Sequence, residues 1–180
     1  MLFSHKYCLS KYGNQYQIDK LLQDEKLHKV APGVYSDNKD VSELDIITFR
    51  YSRSVFTMES AFYYHNLTDT IPEKYCLATT KDDYKISDER VKQFFHRTNT
   101  FPIGISSMLY QNSRIRIYDQ ERMLIELIRN KHSLPFDYYK ELVESYRKRI
   151  HSLDIEKLQR YIVEFPKQNY IMETIQMEIF

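Results

Sequence analysis

Three carboxylates and a lysine in the middle of the chain could support metal-dependent chemistry. They are Glu59, Asp69, Glu73 and Lys74. A metal-dependent nuclease could use this set if the carboxylates converge within metal-binding distance. Their spacing in the sequence does not by itself bring them together, so a nuclease ranks as the weaker alternative.

No familiar catalytic motif accompanies these residues. The chain has no Gly-rich phosphate loop, no G-x-S-x-G elbow, no H-E-x-x-H motif and no Cys/His cluster. Its two cysteines, Cys8 and Cys76, lie too far apart in the sequence to suggest a disulfide framework or a zinc site. We therefore predict a protein that is not an enzyme, with no catalytic residue, no metal site and no cofactor.

Two ionisable residues lie within apolar helical patterns. On such a face a histidine such as His65 is more often a hydrogen-bonded core residue than a catalyst. Glu126 interrupts the apolar run MLIELI and is predicted to pair with a basic or backbone partner. A catalytic role for Glu126 ranks second.

Amide and lysine side chains near the N-terminus match the chemistry of DNA recognition. Asn and Gln side chains can hydrogen-bond to adenine edges, and lysines can contact phosphates. The candidate DNA-binding residues are Lys11, Asn14, Gln15, Gln17, Lys20, Lys26 and Lys29. The alternative is a small helical cap whose exposed amides bind nothing.

The segment that carries these residues has the element order of a winged helix-turn-helix. A helix over Ser4 to Tyr12 ends at Gly13, and Asn14 with Gln17 forms a capping box for a second helix. The strands LHKV and GVYS follow, joined by a tight turn at Pro32-Gly33. The residues predicted to face inward are Phe3, Tyr7, Cys8, Ile18, Leu21 and Leu22.

Net charge limits how this segment could bind DNA. The whole chain carries a formal charge of +1, and the first 36 residues hold five lysines against three acidic residues. A single copy should therefore bind weakly and lose affinity steeply with salt.

The central part of the chain is predicted to mix helices and strands. A capping box at Asp40 and Glu43 predicts a connecting helix, and Thr57 predicts the start of another. Ser87 predicts a short helix with Val91, Phe94 and Phe95 inward, and Asp119 begins a helix that buries Met123, Leu124, Leu127 and Ile128. Strands are predicted at KYCLATT, IGISSMLY and SRIRIYD.

The C-terminal third is predicted to be helical. One helix follows Pro135, Asp154 caps a second, and a third runs over residues 169–180. The inward stripe of the first comprises Phe136, Tyr139, Leu142, Val143, Tyr146 and Ile150. The fold class is therefore predicted as α+β. An N-terminal winged helix-turn-helix over residues 1–37 precedes an α/β domain with a small sheet and a C-terminal helical segment over residues 38–180.

Composition agrees with a soluble globular protein, since 42% of residues are hydrophobic and 28% are charged. No apolar run is long enough to span a membrane, and the N-terminus lacks the pattern of a signal peptide. We expect a cytoplasmic protein without a membrane partner.

Three stretches together resemble a known family. They are SVFTMESAFYYHNLTDTIPEKYCLAT, IRIYDQERMLIELIR and LPFDYYKELVESYR, and the core pattern is V-x-x-x-x-S-A-x-x-x-H-x-L-T-D-x-I-P. The chain resembles the AbiEi family, the antitoxins of AbiE-type (type IV) toxin-antitoxin systems that act in abortive infection and phage resistance. The likeness spans most of the chain.

The resemblance implies an autorepressor with two partners. An N-terminal winged helix would bind the operator DNA of its own operon, and the rest would counteract a cognate nucleotidyltransferase-like toxin without forming a stable complex. Many relatives have more sequence before the motif than this chain, so the winged unit could lack its first helix. The oligomeric state stays open, with a monomer on repeated sites as one arrangement. The competing hypothesis is an interaction or scaffold protein that does not bind DNA.

Overall fold

The computed structural model describes all residues, Met1–Phe180, and divides into two compact units. The first holds Met1–Ser52 with Gln111–Arg114, and the second holds Arg53–Tyr110 with Ile115–Phe180. The protein is mixed α+β, as predicted, with eight α-helices and two small sheets. No helix has both the length and the apolar character needed to cross a membrane.

The first unit contains a helix pair and a three-stranded antiparallel sheet of order β1-β3-β2. Its elements are β1 (Leu2–Ser4), α1 (His5–Tyr12), α2 (Gln15–Gln23), β2 (His28–Ala31), β3 (Val34–Ser36) and α3 (Glu43–Arg50). The predicted order of helix, turn, helix and hairpin is present. Strand β1 was not predicted, because three residues are too few to show the alternation that identifies a strand.

A small apolar core holds the first unit together. Phe3, Cys8, Ile18, Leu27 and Tyr35 are buried, and Leu21 and Leu22 of α2 pack against them. The predicted inward positions are therefore confirmed except for one. Tyr7 is 49% exposed and stacks on Phe3, because a residue next to the buried Cys8 points about 100° away around the helix.

The start of α3 differs from the prediction. Ser42 caps the helix, and its Oγ accepts from the Asp45 N–H at 3.0 Å. Asp40 instead donates its backbone N–H to Asn38 Oδ1 at 3.0 Å, in the local turn that Asn side chains favour. That turn lies just before the helix, so the predicted capping box at Asp40 and Glu43 is wrong.

The second unit combines a mixed five-stranded sheet of order β6-β5-β4-β8-β7 with helices. Strand β5 runs parallel to β6 and antiparallel to β4, which runs parallel to β8. The elements are β4 (Val55–Phe56), α4 (Met58–Tyr64), β5 (Tyr75–Thr80), β6 (Val91–His96), β7 (Ile105–Tyr110), β8 (Ser113–Tyr118), α5 (Gln120–Arg129), α6 (Phe136–Lys148), a 3-10 helix (Ile150–Ser152), α7 (Ile155–Ile162) and α8 (Gln168–Glu178).

The helix predicted after Ser87 is wrong, because its apolar residues belong to strand β6. Residues Val91–His96 pair one to one with Tyr75–Thr80 of β5. Val91, Phe94 and Phe95 mimic helical spacing, but β5 offers a complete ladder of backbone partners, and VKQFFH is rich in residues that strands favour. Phe95 is 47% exposed instead of buried.

Most predicted helix starts and core faces are confirmed. Thr57, Asp119 and Asp154 occupy N-cap positions, although the Thr57 side chain makes no capping bond. All predicted core residues of α5 are buried, as are Tyr139, Leu142, Val143 and Tyr146 of α6. Phe136 is an exception at 73% exposed, since it is the first residue of α6 and lies beyond the packed turns.

Candidate nucleic-acid interface

Helix α2 is positioned by a sharp break from α1 and by its own N-cap. Gly13 ends α1 with a φ of 90°, which only glycine adopts without strain, and donates its N–H to the Leu9 carbonyl at 2.9 Å. Asn14 is extended, and its Oδ1 accepts from the Gln17 N–H at 3.0 Å. Ile18 anchors the inner face of α2 in the core. The polar residues of α2 are therefore directed outward.

The outward face of α2 combines amides, one tyrosine and one lysine. Its exposed residues include Gln15, Tyr16, Gln17, Lys20 and Gln23, and Tyr16 is 73% exposed. Gln17 and Lys20 are one helical turn apart, so their side chains lie next to each other. Neither side chain has a hydrogen-bond or ion-pair partner in the protein. This face has the residue types that read base edges and contact phosphates.

Two of the candidate base-reading residues are engaged inside the protein. The Asn14 oxygen caps α2, which leaves its amide nitrogen for other contacts. Gln15 bridges two neighbours, with its Oε1 2.9 Å from His5 Nε2 and its Nε2 donating to Asp19 Oδ1 at 2.7 Å. Both ends of the Gln15 amide are therefore occupied, whereas both ends of the Gln17 amide are free to contact a ligand.

The four candidate phosphate-contacting lysines are all exposed, in three different settings. Lys11 lies over three rings, with Nζ 5.3, 5.8 and 5.2 Å from the centroids of Phe3, Tyr7 and Tyr12. A contact with Tyr12 raises the pKa of Lys11, so it stays charged. Lys26 forms an ion pair with Asp24 at 3.6 Å. Lys20 and Lys29 have no carboxylate partner.

The β2–β3 hairpin connects directly to the start of α1. Gly33 turns the chain with a φ of 74°, and its carbonyl accepts from the His5 N–H at 3.0 Å. Lys29 lies opposite Tyr35 in the ladder, with its own side chain exposed. The hairpin and the helix pair are thus joined by backbone hydrogen bonding as well as by the shared core.

Sequence reasoning missed two residues of this surface. Tyr16 was not among the candidates, although it lies two positions before the buried Ile18 and therefore on another side of the helix. His5 was overlooked because its partner Gln15 is ten residues away. The helical periodicity of the sequence is enough to place Tyr16 on the outer side of α2. The His5–Gln15 contact, by contrast, depends on how α1 and α2 pack.

No protein-family model matches this chain, and no curated protein matches it.

The carboxylates of the nuclease hypothesis do not converge. Glu59, Glu73 and Lys74 line a cavity of about 790 Å³, whereas Asp69 does not. The Glu59 carboxylate is already bound by Lys92 Nζ at 2.7 Å and Cys76 Sγ at 3.2 Å. No group of three His, Cys, Asp or Glu side chains in the chain could hold a metal ion. Glu59, Asp69 and Glu73 therefore do not form a shared cluster of three carboxylates.

The Cys76 thiol in that cavity is also unsuited to nucleophilic chemistry. Burial, together with the neighbouring Glu59 carboxylate, raises the pKa of Cys76 to about 12. A thiol must ionise to act as a nucleophile. Cys76 is therefore a buried donor to Glu59.

His65 and Glu126 have the structural partners that the sequence predicted. His65 Nε2 lies 2.7 Å from the Tyr118 carbonyl oxygen, and burial lowers the pKa of His65. Glu126 is buried and binds Arg122 and Arg129. Burial opposes ionisation of Glu126, but the two guanidinium charges outweigh it and hold its pKa below its usual range.

Proposed function

We propose that the first unit is a winged helix-turn-helix that binds duplex DNA, with α2 as the recognition helix. The observation that carries this proposal is the outward face of α2, on which Gln17 and Lys20 are exposed and free of protein partners. The helix pair is flanked by a sheet that includes the β2–β3 hairpin, which would serve as the wing.

The side chains would divide the contacts by chemistry. Gln17 would read an adenine edge, because its amide is free, whereas Asn14 and Gln15 would mainly hold α2 in position. Lys20 would contact phosphate beside α2, and Lys29 would do so from the hairpin. Lys11 and Lys26 have protein contacts of their own and would contribute less to the salt dependence.

The modest charge of the unit predicts weak binding by a single copy. Each phosphate that a lysine neutralises contributes about −0.9 to the slope of log K against log salt. Up to four lysine contacts therefore give a slope of up to about −3.6, so affinity falls steeply with salt and useful binding depends on repeated or adjacent sites. A monomer bound to several operator repeats would meet this condition.

We further propose that the chain acts as a type IV antitoxin that represses its own operon and opposes a nucleotidyltransferase-like toxin. The support is the resemblance to AbiEi antitoxins. The residues that carry it build α4, β5, α5 and α6, each of which contributes buried side chains to the second unit. Co-expression with a nucleotidyltransferase encoded beside this gene tests the antitoxin half, and failure to restore growth would refute it.

A binding titration separates the repressor from a scaffold that does not bind DNA. The full chain would be titrated against duplex DNA from upstream of its own gene and against a scrambled duplex, at two salt concentrations. A repressor binds the upstream duplex more tightly, and its affinity falls with salt. Absence of binding to either duplex would favour the scaffold.

A further inference from the structure

A second cavity, of about 310 Å³, lies in the second unit where the parallel strands β5 and β6 end. Thr80 and His96 are paired at those ends, and Lys81 donates its N–H to the His96 carbonyl at 3.0 Å. Lys81 and Arg97 therefore leave two adjacent strands at the same place. The carboxyl ends of parallel strands are a common place for ligand binding in α/β sheets.

Three cationic side chains line this cavity: Lys81, Arg97 and Arg129. The side chains of Lys81 and Arg97 are exposed and pair with no carboxylate in the protein. Arg129 donates to Glu126 at 2.8 Å and lies over the Phe165 ring, 5.0 Å from its centroid. Unpaired cations held on adjacent strand ends attract an anion.

The one carboxylate in the lining, Glu126, does not oppose an anion there. Its Oε1 accepts from Arg122 and Arg129, and its Oε2 accepts from Asn130 at 3.2 Å. Two guanidinium groups therefore share a single negative charge. The cavity keeps a net positive charge.

His96 supplies a neutral donor to the same cavity. Arg122 donates to its Nδ1 at 2.9 Å, so in the neutral ring the proton is on Nε2. Nε2 has no protein partner, and His96 lines the cavity, so this N–H is free to donate to a ligand there. Burial and the nearby arginines lower the pKa of His96 to about 4, so the ring is neutral at physiological pH.

Aromatic and strained residues complete the lining. Phe95 is 47% exposed beside these cations, and an exposed ring can stack against a nucleobase. Met58 borders the cavity with a φ of 44°, an unfavourable conformation for a side chain of its size. Such strain concentrates at functional sites.

We propose that this cavity binds a nucleotide, with the phosphoryl group between Lys81, Arg97 and Arg129 and the base against Phe95. The volume of about 310 Å³ is at the lower end of the range for small-molecule sites, about 300–1,000 Å³, and therefore suits a mononucleotide. This inference does not depend on DNA binding by the first unit.

Calorimetric titration of the full chain with AMP, adenosine and inorganic phosphate tests the proposal. AMP should bind more tightly than either of the other two, because only AMP offers both the phosphoryl group and the base. Lys81→Ala and Arg97→Gln should each weaken AMP binding about tenfold, the equivalent of one charge-assisted hydrogen bond. Both side chains are exposed, so neither substitution should unfold the protein.

Two control variants locate the site. Lys85→Ala removes another exposed lysine of the β5–β6 connection that does not line the cavity, and Lys20→Ala removes one from α2. Both should bind AMP like the wild type. No AMP binding at millimolar concentration, AMP binding no tighter than that of phosphate, or equal AMP affinity in Lys81→Ala and Lys85→Ala would each overturn the proposal.

Discussion

Arg122 donates to Nδ1 of His96 across 2.9 Å in the interior of the second unit. A guanidinium has only N–H donors, so His96 Nδ1 must be the acceptor and the ring must be neutral. The Arg122 guanidinium also lies between the Tyr118 and Phe165 rings, 4.4 and 4.5 Å from their centroids. This contact links the buried ion pair with Glu126 to the cavity at the ends of β5 and β6.

The lowered pKa of His96 predicts a loss of stability in acid. The unfolded chain takes up a proton near pH 6.5, whereas folded His96 resists it until about pH 4. Its contribution to the free energy of unfolding is therefore complete above pH 6.5 and falls as the pH drops to about 4, by roughly 3 kcal/mol at most. Urea unfolding at several pH values measures this loss.

Two substitutions test whether His96 causes that pH dependence. His96→Asn keeps an acceptor for Arg122 but cannot be protonated, so its free energy of unfolding should change less between pH 6.5 and 4. His151→Asn alters an exposed histidine and should follow the wild type. Parallel curves for all three proteins would show that His96 is not the titrating group.

The ion pair of Arg122 and Glu126 predicts that a single variant loses more stability than the double variant. Arg122→Met leaves the Glu126 carboxylate buried with Arg129 as its remaining ion-pair partner, and should cost about 3–5 kcal/mol of unfolding free energy. Adding Glu126→Gln removes the stranded charge and should restore part of that loss. A double variant less stable than Arg122→Met alone would contradict this account.

Gly104 and Gly33 form a matched pair of positive-φ positions, at 77° and 74°. An added Cβ would meet open space at Gly33, whereas at Gly104 it would lie 2.4 Å from the Arg122 Cβ. Gly33→Ala should therefore cost only conformational strain, about 1–2 kcal/mol. Gly104→Ala should cost about 1–3 kcal/mol more, because Arg122 must shift. Equal losses in thermal unfolding would argue against this packing.

The Asn14 cap predicts that stability and DNA affinity can be separated. Asn14→Ala removes the acceptor for the Gln17 N–H and should cost about 1 kcal/mol. Asn14→Asp keeps that acceptor and should unfold like the wild type, but its charge beside the phosphates should weaken DNA binding. Unfolding titrations and DNA titrations of both variants check this, and unchanged DNA affinity in Asn14→Asp would place Asn14 outside the interface.

Local signals in the sequence predicted most of the fold. Caps at Asn14, Asp119 and Asp154 lie where side-chain oxygens meet backbone N–H groups a few residues on, so they can be recognised in one stretch of chain. Strand β6 could not be recognised in this way, because its partner β5 lies sixteen residues earlier and the apolar spacing also fits a helix.

The two candidate sites differ in the same way: one follows from local sequence signals and the other from long-range packing. The exposed amides and lysines of α2 were predicted because they follow from one helix and its periodicity. The cavity lined by Lys81, Arg97 and Arg129 was not, since it forms only when two strand ends and α5 come together. The hydrogen bond between His5 and Gln15, which leaves Gln15 bonded at both ends together with Asp19, likewise depends on the packing of α1 against α2.

The most direct test of the α2 interface is a comparison of DNA-binding titrations for Gln17→Ala, Lys20→Ala and the control Lys85→Ala. Gln17→Ala should reduce the ratio of affinities for the upstream and scrambled duplexes about tenfold. Lys20→Ala should weaken both duplexes alike and flatten the salt slope by about one, and Lys85→Ala should match the wild type. Wild-type affinity, preference and salt slope in both α2 variants would contradict the assignment of α2 as the recognition helix.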